Sequence, residues 1–382
     1  MLYFDNAATS FPKPDSVVKA VNDSIRYYCA NPGRAGHDMA QRTSKLVYRT
    51  REKTAELFGT EKAENVIFTP NCTYALNCVI KGLARPGCHF IISSLEHNAV
   101  VRPLETLKNN GICTYSIAEV EQNDLKTIEN FENLINENTI AIICTGASNV
   151  FGKMPPVKKL SELAHSRNLH FIVDAAQVAG ITDINCSKDG IDYLCAAAHK
   201  GLYAPMGLGI LVINCDKKLK TLTEGGTGTQ SFVLSQPEEV PERYESGTLS
   251  IPLIAGLSAG IDFVKRQKPK NIYNHERYLI NYLYSELKNM KNIELYTDML
   301  SKTERFAPLI SFNIKDKHSE ETAIRLNEMG IAVRAGFHCA PLAHTSYKTT
   351  DLGTVRVAPS FFTEKKDVNL LLNSVFKIAK TQ

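Results

Sequence analysis

Along the first two thirds of the chain, short apolar runs that end in polar or titratable residues alternate with stretches whose apolar positions recur at helical spacing. Residues 65–70 (NVIFTP) form a β-type run, and residues 73–83 (TYALNCVIKGL) follow with a helical period. Residues 89–97 (HFIISSLEH), 139–149 (TIAIICTGASN) and 170–177 (HFIVDAAQ) are rich in β-branched residues and close on polar side chains. Between the last two, residues 155–169 (PPVKKLSELAHSRNL) open on two prolines and continue as an amphipathic helix. Residues 192–200 (DYLCAAAHK) and 207–213 (GLGILVI) add two more strands, punctuated by glycines. This alternation predicts a mainly parallel sheet covered on both faces. In such sheets ligands bind beyond the carboxyl ends of the strands, so the polar residues after each apolar run are the candidates for chemistry.

From about residue 261 the character shifts. Residues 275–290 predict a long helix, 307–314 and 331–336 two strands, and 364–381 a closing helix. That is an α+β module of roughly 120 residues, a second domain by size.

Composition narrows the picture. The 382 residues are 22% charged and 43% hydrophobic, as expected of a globular chain long enough for two domains. Lys plus Arg number 44 against 40 for Asp plus Glu, and the basic residues are scattered, so no nucleic-acid partner is expected. No run approaches the apolar length of a membrane helix, and the N-terminus meets Asp5 without a basic leader, so a cytoplasmic protein is expected. Ten cysteines at irregular spacing, with no CxxC pair, predict neither a disulfide scaffold nor a metal site. Most are expected to be buried thiols, which is also the first reading of Cys339 in RAGFHCAPLAH.

The polar residues at the strand ends are His97, Asn149, Asp174, Gln177, His199 and Lys200. Lys200 is either an exposed loop lysine or, as a partly desolvated amine, a nucleophile toward an aldehyde cofactor. Asp174 is either a helix N-cap or the carboxylate that keeps a pyridinium nitrogen protonated. The segment 69–77 (TPNCTYALN), with Cys72 and Thr73, offers helix N-terminal amides and a hydroxyl to an anion. In this order along the chain, these features together fit a pyridoxal phosphate site better than any one of them does.

The chain resembles the class V aminotransferase family of pyridoxal-phosphate enzymes, fold type I, and within it the cysteine desulfurase and selenocysteine lyase group. The resemblance runs nearly end to end through YFDNAATSFPKP, NPGRAGH, SLEHNAV, ASNVFG, VDAAQ, AHKGLYAPMGLGIL, YESGTLSIPLIAGLSAG and GIAVRAGFHCAPLAH. It implies an α/β fold with a mainly parallel seven-stranded sheet in a large domain (15–260). A small α+β domain (1–14 and 261–382) would carry the catalytic cysteine. It implies pyridoxal 5'-phosphate as cofactor, with Lys200 as its Schiff-base lysine and His97 stacked on its ring. Asp174 would meet the ring nitrogen, Gln177 the phenolic oxygen, and Thr73, His199 and a neighbouring subunit's Thr248 the phosphate, with Cys72 also in contact.

On the substrate side the resemblance implies that Asn149 and Arg356 hold the carboxylate, with Arg334 nearby, although Arg356 also reads as a surface ion-pair residue. It implies a homodimer acting on L-cysteine or selenocysteine, with Cys339 taking the sulfur as a persulfide and a possible acceptor protein downstream. His338, His344 and Arg334 would favour the Cys339 thiolate if they point inward. Another reaction of the family (aminotransfer, epimerisation, β-elimination) and a non-enzymatic scaffold are the alternatives. Ala197 stands where many members carry a phosphate-binding serine, Phe337 replaces a common histidine, and the segment 339–356 is slightly long.

Overall fold

The computed structural model describes residues 1–33 and 36–380. Arg34 and Ala35 of the NPGRAGH motif, and Thr381 at the end of the expected closing helix, lie outside the described residues. Among the described residues the strands in chain order are β1 (Leu2–Tyr3), β2 (Val66–Thr69), β3 (Cys88–Ser93), β4 (Cys113–Ala118), β5 (Thr139–Thr145), β6 (His170–Asp174), β7 (Tyr193–Ala197), β8 (Gly209–Ile213), β9 (Ile293–Leu295), β10 (Ile310–Ile314), β11 (Ile331–Ala332) and β12 (Val355–Val357).

Seven of them form one sheet in the order β2-β8-β7-β6-β5-β3-β4, parallel except where β8 pairs antiparallel with β2 and β7. Neighbouring residues in the central strands bury opposite faces. Ile142 and Cys144 of β5 join Phe171 and Val173 of β6 in one core, while Ala141, Ile143 and Ile172 join another. Burial on both faces is why these strands read as unbroken apolar runs. Strand β4, which the apolar pattern did not predict, is the sheet edge, and its four inner residues Thr114, Tyr115, Ser116 and Ile117 are half-buried or exposed. An edge strand needs no continuous apolar run.

A third core gathers Phe4 with Leu279, Phe312, Val357 and Leu371 around the antiparallel sheet β12-β10-β9. The expected strand at 331–336 is shorter: Ile331–Ala332 pairs with Leu2–Tyr3, and only a single bridge joins Arg334 to Arg356. The helix Ile251–Gln267 runs unbroken through the point where the composition shifts.

Strand order reverses between β3 and β5, because the chain runs from β3 to β4 on one side and from β5 through β6 to β7 on the other. The crevice beyond the carboxyl ends at such a switch point is where α/β sheets bind ligands. Two glycines let segments next to it close on each other. A Cβ on Gly201 would lie 2.3 Å from the Ala179 carbonyl oxygen. One on Gly180, at φ +80°, would lie 2.3 Å from the Gly201 oxygen. The turn after Asp174 and the loop after Lys200 therefore meet backbone to backbone, which only glycine permits.

Candidate active site

A cavity of about 230 Å³ opens at the switch point, and ten of the twelve side chains expected at the site line it: Lys200, His97, Asp174, Gln177, Thr73, His199, Cys72, Asn149, Arg356 and Arg334. Ala197 lines it too, without a hydroxyl to offer. Thr248 is exposed in the irregular segment 221–250, and Cys339 is exposed at the rim; neither belongs to the lining.

Each strand end delivers one group. Asp174, the last residue of β6, is buried, and its Oδ1 accepts the Ala176 amide at 2.9 Å and lies 3.7 Å from Cys72 Sγ. It thus makes the turn contact of a capping residue while its carboxylate faces the cavity. Burial lowers the Lys200 ammonium pKa from its ordinary value, with Asp174 opposing and the Arg356 and Arg334 guanidiniums adding to the fall. His97 caps the helix Asn98–Asn109, its Nδ1 accepting the Ala99 amide at 3.0 Å. A neutral imidazole with Nδ1 as acceptor carries its proton on Nε2, and burial, the largest influence on His97, favours the neutral form. Burial also takes His199 down to about 4, helped by Lys200 and Lys13.

The helix Cys72–Leu83 points its N-terminus at the cavity, with Asn71 as cap accepting the Tyr74 amide at 2.9 Å. Burial pushes the Cys72 thiol well up, so it stays protonated. Gln177 Nε2 donates to the Ala7 carbonyl at 3.0 Å and keeps its second hydrogen.

Arg356 on β12 is buried, not a surface residue. Its Nη2 meets Asp5 Oδ1 at 2.6 Å, its Nη1 donates to the Asn149 carbonyl at 2.9 Å, and its Nε is buried without a partner. Asn149 Nδ2 donates to the His338 carbonyl at 2.7 Å, while its Oδ1 is also orphaned.

Cys339 sits on a strained turn. His338 and Cys339 are consecutive non-glycine residues at φ +49° and +57°. Each left-handed residue costs on the order of 1 kcal/mol and needs its surroundings to hold it. Asn149 holds the His338 carbonyl, and the Asn98 amide donates to the Cys339 carbonyl at 2.8 Å, which fastens the cysteine to the helix that His97 caps. Arg334 Nη2 lies 3.9 Å from Sγ. The expectation that His338 and His344 supply positive charge fails: burial takes His338 down to about 2 and lowers His344 as well, so both rings are neutral. Phe337 packs its edge on the His344 ring at 5.5 Å.

Several contributors escaped the sequence reading. Asp5 anchors Arg356 from 351 residues away. Ser10 and Lys13 clasp the His199 carbonyl, Lys13 Nζ at 2.8 Å. Both lie in YFDNAATSFPKP, a motif noticed without roles for these side chains.

Glu96, next to His97, is fully buried, and its Oε1 accepts from Ser93 Oγ and from the Thr145 amide at 2.6 Å. Burial raises its carboxyl to about 8; Asp174 adds to the rise, and the hydrogen bonds oppose it. An acid that keeps its proton to about pH 8 when folded, but loses it near pH 4.3 when unfolded, costs stability as pH rises through that interval. Glu96→Gln keeps the neutral shape and removes the titration. The stability of Glu96→Gln relative to wild type should therefore climb between pH 5 and 8, by on the order of a few kcal/mol, and its Tm with it. A constant gap in melts across that range would refute a neutral Glu96.

The model of the family described as Aminotransferase class-V matches residues 2–371. A probable cysteine desulfurase of Borreliella burgdorferi is 30% identical over 100% of this chain and 92% of the relative. A cysteine desulfurase of Haloferax volcanii is 27% identical over 98% of this chain and 88% of that protein. The apo structure of a cysteine desulfurase from Thermococcus onnurineus superposes with a TM-score of 0.92 at 28% identity, covering 100% of this chain and 95% of that one.

Proposed function

Because the chain belongs to the class-V aminotransferase family, we propose that it is a pyridoxal-phosphate-dependent cysteine desulfurase that converts L-cysteine to L-alanine and receives the sulfur on Cys339. The observation that carries this reading is the pairing of a desolvated Lys200 with a buried Asp174 inside one cavity, with an exposed cysteine fastened at its rim.

The donor set fits the cofactor. His199 Nδ1, Asn149 Oδ1 and Arg356 Nε are buried polar atoms without protein partners, grouped around one cavity. Asp174 would meet the ring nitrogen, His97 the ring face and Gln177 the phenolic oxygen, with Thr73, His199 and the helix N-terminus at Cys72 around the phosphate. When bound, the cofactor supplies an electron sink that makes the substrate Cα–H acidic and the Cβ–S bond labile. Lys200 Nζ, its ammonium disfavoured by burial, accepts the Cα proton. His97 presents Nε2–H to the cavity. Arg356, with the second amide hydrogen of Asn149 and with Arg334, orients the substrate carboxylate.

Arg356→Lys loses the planar fork while keeping the charge. A hydrogen bond to a charged group contributes about 1.5–3 kcal/mol, so KM for L-cysteine should rise about tenfold to a hundredfold. Steady-state kinetics with kcat resolved from KM decide it, and an unchanged KM would remove Arg356 from the substrate.

We also infer a homodimer whose partner brings Thr248 to the phosphate. Thr248 is exposed and outside the lining of its own chain's cavity, and Phe232 and Leu234 of the same segment stand in solvent. The separate core around Phe4 and the residues after 279 supports a small domain beside a large one, and we divide them as 1–14 with 261–382 and 15–260, the helix Ile251–Gln267 spanning the join. Among the described residues no helix is long and apolar enough to cross a membrane, which agrees with a cytoplasmic enzyme. The exposure of Cys339 suits hand-over to an acceptor protein. Alanine and sulfide formed from L-cysteine in the presence of a thiol reductant test the whole reading, and pyruvate in place of alanine would replace it with β-elimination.

A further inference from the structure

At the opposite edge of the sheet, three strand ends converge. His170 opens β6, Asp192 precedes β7, and Cys215 follows β8. Because β8 runs antiparallel, with Tyr193 paired to Ile213 and Ile172 to Tyr193, all three fall beyond the same edge. Asp174, at the other end of β6, is about 13 Å away at 3.3 Å per residue. One ligand atom from each of His170, Asp192 and Cys215 lies within 4.8 Å of the others, and all three residues are half-buried. His165, from the helix Val157–Ser166, brings its Nε2 to 3.2 Å from Asp192 Oδ2.

We propose that His170, Asp192 and Cys215, with His165 as fourth ligand, bind a divalent metal ion of the borderline-soft zinc class, stapling β6, β7 and β8 at the edge remote from the active site. One carboxylate, one thiolate and two imidazoles suit zinc, cobalt or cadmium and disfavour magnesium and calcium. The expectation of no metal site rested on linear cysteine spacing, which does not register ligands brought together from three strands and a helix.

The surroundings match. The Phe171 amide donates to Asp192 Oδ2 at 2.7 Å and fixes the carboxylate, as outer-shell partners of metal ligands do. His170 Nδ1 lies 3.9 Å from the same oxygen. Tetrahedral coordination places ligand atoms about 3.3–3.8 Å apart, so closure asks His170, Asp192 and Cys215 to move by on the order of 1 Å, and the exposed His165, which already meets Asp192, to swing further in. The metal–sulfur bond forms as the thiol releases its proton to solvent, so each ion bound frees one proton. Asp192 and the Cys215 thiolate then cancel the ion's two charges. The Lys217 and Arg85 cations near His170 and the Asp216 carboxylate near Cys215 are the other charged groups around it.

The test uses the full-length, cofactor-loaded protein, stripped by a chelator and titrated with Co²⁺. One equivalent should give a cobalt–thiolate charge-transfer band and the intense visible bands of tetrahedral cobalt. Zn²⁺ should bleach them and Mg²⁺ should not. Cys215→Ser should abolish the charge-transfer band while turnover of L-cysteine stays at the wild-type level, since Cys215 is outside the active-site cavity. His165→Ala, at an exposed position, should weaken cobalt binding at least tenfold. No thiolate band in the wild type, or an equal band in Cys215→Ser, which would point to Cys339 or Cys29, overturns the site.

Discussion

Lys200→Ala is expected to lower alanine formation from L-cysteine by roughly a thousandfold or more. It should also leave the added cofactor removable by gel filtration. Two losses combine. General-base proton transfer is worth about 10²–10⁴ in rate, and no neighbour can take it over. His97 is committed through Nδ1 to the Ala99 amide, and Glu96 already holds a proton at neutral pH. The covalent anchor is lost as well, and the remaining contacts to the cofactor are hydrogen bonds and stacking. The variant should fold, because Lys200 lends only its backbone to the loop: its carbonyl accepts from Ser10 Oγ at 3.0 Å and from the Tyr203 amide at 2.9 Å. Unchanged visible absorbance after filtration, with retained turnover, would remove Lys200 from the chemistry.

What the sequence made legible follows from burial. Strands β5 to β8 bury both faces and so appear as apolar runs, and the polar endings of β5, β6 and β7 mark the carboxyl edge where the cavity lies. Edge strand β4 and the three-residue β9 and β12 bury too little or are too short to leave such a trace. At the site, residues placed directly by a strand end were readable, as Asp174 and Lys200 show. Those placed by contacts between distant segments were not. Asp5 meets Arg356, and Ser10 and Lys13 meet the His199 carbonyl, across 186 or more positions. The protonation of His338, His344 and Glu96 was equally hidden, because it depends on desolvation, which only the packed chain determines.

Cys339→Ala is expected to reduce sulfide and persulfide formation from L-cysteine by on the order of a thousandfold or more, with cofactor binding and its visible absorbance unchanged. The separation follows from position: Cys339 is exposed on a rim turn and touches none of the buried groups around Lys200 and Asp174. Its thiolate would form an S–S bond with the substrate sulfur as the Cβ–S bond breaks, leaving the electron pair on the carbon that is later protonated to the methyl of alanine. Of the three neighbours first considered as aids to that thiolate, only Arg334, at 3.9 Å from Sγ, carries charge, since His338 and His344 are neutral. Arg334→Gln should therefore lower the rate of sulfur transfer while leaving cofactor absorbance alone. The turn adds a second demand. Its left-handed residues are held by the Asn149 side chain and the Asn98 amide, so the cysteine is fastened by the same elements that carry the proposed substrate and ring-face contacts. Selenium leaves carbon more readily than sulfur, so turnover of selenocysteine by Cys339→Ala distinguishes the two substrates. Loss with cysteine and retention with selenocysteine would define a lyase that uses Cys339 only for sulfur. Full desulfuration by Cys339→Ala would show that the thiol at the rim is not the nucleophile.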